Sequence, residues 1–162
     1  MDGDEAQTLT HEELETRLEV DSRELTRQLL QDHLDLRATR EMRARGVVDE
    51  RGVCHNACET GHHRGLETIF GEVTVTRLAY RASGSENLYL QDAALNLPFE
   101  RHSHGLRQLA AIEATRGSYE EAKAAIARAS GVTLGKRQVE QLARRGAVDV
   151  EEFYDQRERA PA

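Results

Sequence analysis

The sequence predicts a mainly α fold with a small β-hairpin element, an α+β chain whose C-terminal three-helix unit contains a helix-turn-helix-like pair. Three observations carry this reading. Capping residues followed by apolar residues at three- and four-residue spacing occupy both ends of the chain. Between them lies a glycine-punctuated stretch rich in β-branched residues. The third is composition: among 162 residues there are 3 Phe, 4 Tyr and no Trp. Burial therefore falls to Leu, Val, Ile and Ala, which suit helix packing.

Residues 1–9 read as a disordered acidic leader, with Met1 and Leu9 as the sizeable apolar side chains. Thr10 with Glu13 matches a capping box, and Asp21 with Glu24 marks a second N-cap, so two successive helices are expected. In the second, Leu25, Leu29 and Leu36 with Leu30, Leu34 and Met42 form one broad apolar stripe. Arg37, Arg40, Arg43 and Arg45 gather at its C-terminal end, where cations favour the helix dipole, and Gly46 ends it.

From Val47 to Tyr89, Gly52, Gly61, Gly65, Gly71 and Gly84 separate short runs. Glu72–Tyr80 is the strongest strand, and Leu66–Phe70 pairs with it across Gly71. Its alternation is broken, because Val73 and Val75 share a face with Arg77; an edge hairpin packed on helices is expected. Asn87–Glu100 reads as a connector. Residues 10–100 thus form a region of N-terminal helices plus hairpin.

Residues 101–147 form the helix-turn-helix-like unit. Ser103 caps a helix carrying Leu106, Leu109, Ala110 and Glu113, which Gly117 ends. Ser118 with Glu121 makes the cleanest capping box, opening a helix with Ala122, Ala125, Ile126 and Ala129 on one face. After the turn Ser130–Thr133, a third helix from about Leu134 to Arg145 buries Val139 and Leu142. Residues 148–162 read as linker or tail.

Several function classes are excluded by pattern. No apolar run is long enough for a membrane span, and the acidic N-terminus is unlike a signal peptide, so a cytoplasmic chain is expected. No phosphate-binding loop, nucleophile elbow, zinc-protease or dinucleotide-binding fingerprint occurs, and no catalytic residue or cofactor is assigned. Cys54, Cys58, His62 and His63 carry the right atoms for zinc, but their spacing is tighter than a standard finger. Free thiols beside surface histidines are expected, with no metal. His102 and His104 read as exposed histidines at a helix start.

The net charge of −7 argues against nucleic acid only as a total. Residues 1–35 carry −8, 36–100 carry −1, 101–145 carry +5 and 146–162 carry −3. The basic island coincides with the helix pair. A second helix of such a pair fits a major groove, where Arg and Lys bind guanine or phosphate and Gln pairs with adenine. Arg107, Arg128, Lys136, Arg144 and Arg145 are the phosphate candidates; Arg137, Gln138 and Gln141 are the base-edge candidates. Ala127 and Gly131 suit the tight motif, but Val139 lies eight positions beyond Gly131, which makes the turn longer.

A chain of short strings also resembles bacterial insertion-sequence transposases of the ISKra type. They are Leu29–Arg37, Gly61–Arg64, Thr68–Arg81, Leu95–Pro98, Arg101–Leu106, Gly117–Tyr119 and Gly135–Glu140, in the same order. The resemblance covers about residues 25–160. It implies the N-terminal, non-catalytic portion of such an enzyme, which reads terminal inverted repeats of double-stranded DNA. It further implies a truncated or separately encoded product, because no acidic residue of the two-metal catalytic domain carries over. Two other readings use the same residues. A free-standing regulator would bind a palindrome, and an interaction protein would use its acidic helices to inhibit a full-length transposase; self-association is the remaining partner expectation.

Overall fold

The computed structural model describes the backbone of residues 8–159 and the side chains of residues 8–147. The chain is mainly α with two small antiparallel sheets, an α+β fold. In order, it comprises α1 (His11–Arg40), β1 (Val47–Val48), β2 (Cys54–His55), β3 (Ala57–Thr68), β4 (Gly71–Arg81), α2 (Leu90–Ala94), α3 (His104–Ala114), α4 (Tyr119–Ser130) and α5 (Lys136–Arg159). Among the described residues no helix is long and apolar enough to cross a membrane. Residues 1–7 of the acidic leader lie outside the described residues.

The capping box at Thr10 forms as the sequence implies. The Thr10 hydroxyl accepts from Glu13 N at 3.3 Å, and the Glu13 carboxylate accepts from Thr10 N at 2.8 Å. The expected break at Asp21 does not occur, and α1 is one helix of 30 residues. Asp21 is held within it by Arg17, at 3.1 Å. Thr16, Ser22 and Thr26 donate back to the carbonyls of Glu12, Glu19 and Ser22, so none of them terminates the helix. Nor does Gly46 end α1. The helix stops at Arg40 because the next segment docks on β4: the Glu41 carboxylate accepts from Leu78 N at 2.8 Å, and the Tyr80 hydroxyl accepts from Ala44 N at 2.9 Å. Gly46 instead takes φ +65° in the turn toward β1.

β3 and β4 pair antiparallel from Ala57↔Arg81 to Thr68↔Gly71, a hairpin far longer than the predicted Leu66–Phe70 arm. Gly61 and Gly65 lie inside the strand. Gly61, at φ +74°, occupies the register shift between Glu59 and His62, a bulge that glycine accommodates without strain. At Gly65 a Cβ would meet Glu72 Oε1 at 2.7 Å, so the bare Cα leaves room for the exposed end of that side chain.

The broken alternation of β4 also has a physical reason. Val73, Val75 and Ala79 are buried, and Arg77 is buried with them on the same face. Its guanidinium binds the Asp92 carboxylate and stacks over the Tyr89 ring at 3.7 Å. Both partners belong to the Asn87–Glu100 connector, which contains the short helix α2.

Two cores result. Leu34, Leu66, Val73 and Val75 form one, covered by Leu30, Leu95 and Leu97. Leu106, Ala110, Ala122, Ile126, Leu134, Val139 and Leu142 form the other inside the α3–α5 unit. The hairpin tip joins them, since Ile69 packs on the second core. Backbone bonds from Glu67 N to Arg101 O and from Ser103 N to Glu67 O, at 2.7 and 2.8 Å, fix the strand to the start of α3.

Candidate nucleic-acid interface

The α3–α5 unit is set by local signals. Ser103 accepts from Leu106 N at 3.2 Å and starts α3, which ends at Ala114 with Thr115 as its cap, ahead of Gly117. The Ser118 hydroxyl accepts from Glu121 N at 3.3 Å, while the Glu121 carboxylate accepts from Ser118 N at 2.8 Å. That backbone bond holds the Glu121 carboxyl below its usual range. Gly131 closes α4 in the left-handed conformation, φ +70°, which an L side chain adopts only with strain.

The turn runs through Gly135, so α5 starts at Lys136, two residues beyond the expected Leu134. Its extra length lets Leu134 plug the core at 1% exposure ahead of the helix. Gly135 N donates to the Gln138 side-chain oxygen at 2.7 Å, so Gln138 caps α5 rather than projecting freely as a base-reading group. The backbone of α5 then continues past Arg145 to Arg159; Gly146 is the only glycine in that stretch, and there is no proline.

Val139 and Leu142 are fully buried. Arg137, Gln141 and Arg144, at i, i+4 and i+7, lie on the opposite, exposed face. Lys136 and Arg128 are also exposed, at the start of α5 and in the last turn of α4. Arg144 pairs with Glu140 at 2.7 Å, with 76% of its side chain exposed. Lys136 lies close enough to Glu120 to help lower its carboxyl pKa, after the larger effect of the Lys123 hydrogen bond and ion pair.

Two of the phosphate candidates are drawn elsewhere. Glu100 takes Arg107 at 3.2 Å and Arg145 at 2.5 Å, on its two carboxylate oxygens. Only 16% of the Arg107 side chain is exposed, so this residue clasps α3 to the connector. Sequence reasoning missed Glu100 because it lies in the connector, 45 residues before Arg145. The set of exposed candidates is thus narrower than the sequence suggests: Arg137, Gln141 and Arg144 share the outward face of α5, Lys136 stands at its start, and Arg128 is exposed separately in the last turn of α4.

The cysteine and histidine string is spread over β2 and the β3 arm of the hairpin. Cys54 is exposed on β2 and Cys58 half-buried on β3. His62 meets Glu59 at 3.1 Å, whereas His63 bonds Thr76 Oγ1 at 2.9 Å; as strand neighbours they point to opposite faces. No three metal-ligating side chains converge among the described residues. His102 contacts Glu67 at 3.1 Å with its side chain 15% exposed, so it is not the surface group expected. His104 is exposed and bonds Asn96 O at 3.0 Å. Compared with protein-family models and with curated proteins, the chain matches none.

Proposed function

We propose that the chain is the DNA-binding portion of a bacterial insertion-sequence transposase of the ISKra type. It recognises the terminal inverted repeats of double-stranded DNA in the cytoplasm and carries no catalytic step. The observation that supports this most is the outward face of α5, where Arg137, Gln141 and Arg144 stand exposed on a capped helix with a buried reverse side. Lys136 adds positive charge at the start of that helix, and Arg128 adds an exposed cation in the last turn of α4. The ordered strings shared with that family supply the target class.

In this reading Arg128, Lys136 and Arg144 contact phosphates and position the unit, while Arg137 and Gln141 meet base edges. Arg144 exchanges its exposed partner Glu140 for phosphate, which costs little because exposed ion pairs contribute only about 0–1 kcal/mol. The test is a fluorescence-anisotropy titration of the full chain against duplexes carrying the inverted repeats that flank its gene, beside unrelated duplexes. Tighter binding to the repeats, weakening with salt, is expected. A folded chain that binds neither duplex at low salt overturns the proposal.

A further inference from the structure

The broad leucine stripe expected on α1 is divided between two faces. Leu30 and Leu34 turn inward onto the hairpin core, together with Arg27 and Gln31, and Arg23 on the same side donates to the Arg128 carbonyl of α4 at 2.6 Å; Gln31 bonds both the N–H and the carbonyl of Thr74. Leu18, Leu25, Leu29 and Leu36 lie on the opposite side, 50%, 58%, 61% and 46% exposed. With Ser22 and Asp32 between them, these positions follow the alternating three- and four-residue steps of a heptad seam. Large apolar residues lined up on one exposed helix face require a partner surface more than scattered ones do.

We infer that this seam is a dimer interface and that its occupant is α1 of a second copy of this chain, packed antiparallel. Spacing supplies the first reason. The leucines fall at intervals of seven, four and seven residues, symmetric about residue 27. An antiparallel partner therefore sets Leu18 against Leu36 and Leu25 against Leu29, on both sides of a two-fold axis. It also places Ser22 opposite Asp32, a hydroxyl facing a carboxylate. A parallel pair would bury Asp32 against its own copy.

Charge supplies the second reason. Residues 11–25 carry six acidic and two basic side chains, whereas residues 26–40 carry two acidic and three basic. Antiparallel packing lays the acidic half of one helix along the more basic half of the other and brings Glu12 near Arg40. Parallel packing would set acid on acid. One adverse pair, Asp21 facing Asp35, is softened because Arg17 and Gln31 already bond these carboxylates within their own helix at 3.1 and 2.9 Å.

The inference does not depend on DNA binding and is tested without DNA. Sedimentation equilibrium of the full chain at micromolar concentration is expected to show a monomer–dimer equilibrium. Leu25→Glu/Leu29→Glu should weaken it by about 100-fold or more, with an unchanged far-UV spectrum because both side chains face away from the core. Phe99→Glu, at a 99% exposed position off the seam, should leave the dimer intact. In a Cys54→Ser/Cys58→Ser background, Leu18→Cys chains mixed with Leu36→Cys chains should oxidise to the mixed disulfide dimer. A monomeric wild-type chain, a dimer insensitive to the double substitution, or Leu18→Cys chains linking only to themselves would each overturn it.

Discussion

Arg77 is the residue on which the first core most depends electrostatically. It occupies an apolar-face position of β4 and neutralises Asp92, whose carboxylate also receives Arg64 at 3.3 Å. Removing Arg77 leaves Asp92 with Arg64 as its remaining cation and takes away a charge-assisted bond in a largely buried site, so Arg77→Ala should lower unfolding free energy by about 2 kcal/mol. Arg77→Ala/Asp92→Ala should lose less than the sum of the single changes; urea denaturation measures both. Glu41 is the opposite case. Burial pushes its carboxyl above the usual range despite the bond from Leu78 N. An acid with a raised folded pKa binds more protons folded than unfolded, so its penalty is present at neutral pH and relieved as pH falls through that folded value. Relative to Glu41→Gln, the wild-type chain should therefore gain stability on acidification from neutrality into the ordinary Glu range, measured as the difference between the two denaturation midpoints. In the sequence Arg77 showed itself only as a break in alternation. Its partner Asp92 lies 15 residues away in an irregular segment and gives no periodic signal.

The helix starts were legible because capping chemistry is local: Thr10, Ser103 and Ser118 each bond a backbone N–H within three residues. Ser118→Ala should cost about 1 kcal/mol, read as a lower thermal midpoint. The Glu121 side of the box has a pH signature. Its carboxyl is held low by the Ser118 backbone N–H, so its contribution is present above the unfolded Glu pKa and disappears as pH falls through the folded value. The difference between wild type and Glu121→Gln should shrink in that acid range. Helix ends and strand lengths were less legible because tertiary partners decide them. Gly61 and Gly65 have the same local signature as turn glycines, yet one absorbs a bulge and the other admits Glu72. Likewise α1 ends where Glu41 and Ala44 find bonds on β4, which no local pattern encodes. The seven–four–seven leucine spacing was present in the sequence, but which leucines faced inward depended on where β4 packs.

For the whole molecule, the basic island of residues 101–145 was readable as charge, whereas the division of its arginines between structure and surface was not. That division separates two kinds of variant. Arg107 lies under Glu100 at the junction of α3 and the connector, so Arg107→Ala should lower the thermal midpoint and leave the salt dependence of DNA binding unchanged. Arg128→Ala, Lys136→Ala and Arg144→Ala remove exposed charge from a folded scaffold. Every cation taken off a phosphate should reduce the slope of log affinity against log salt by about 0.9 on duplex DNA, with the thermal midpoint nearly unchanged. Gln141→Ala should leave the slope as it was and narrow the gap between inverted-repeat and unrelated duplexes, since a good bidentate base pairing is worth about 1–3 kcal/mol of discrimination. Slopes and affinities measured across this set distinguish a groove-reading helix from a merely charged one. A charged but unspecific face would show a shallower slope for every arginine and lysine removed from it, yet Gln141→Ala would leave both duplexes bound alike.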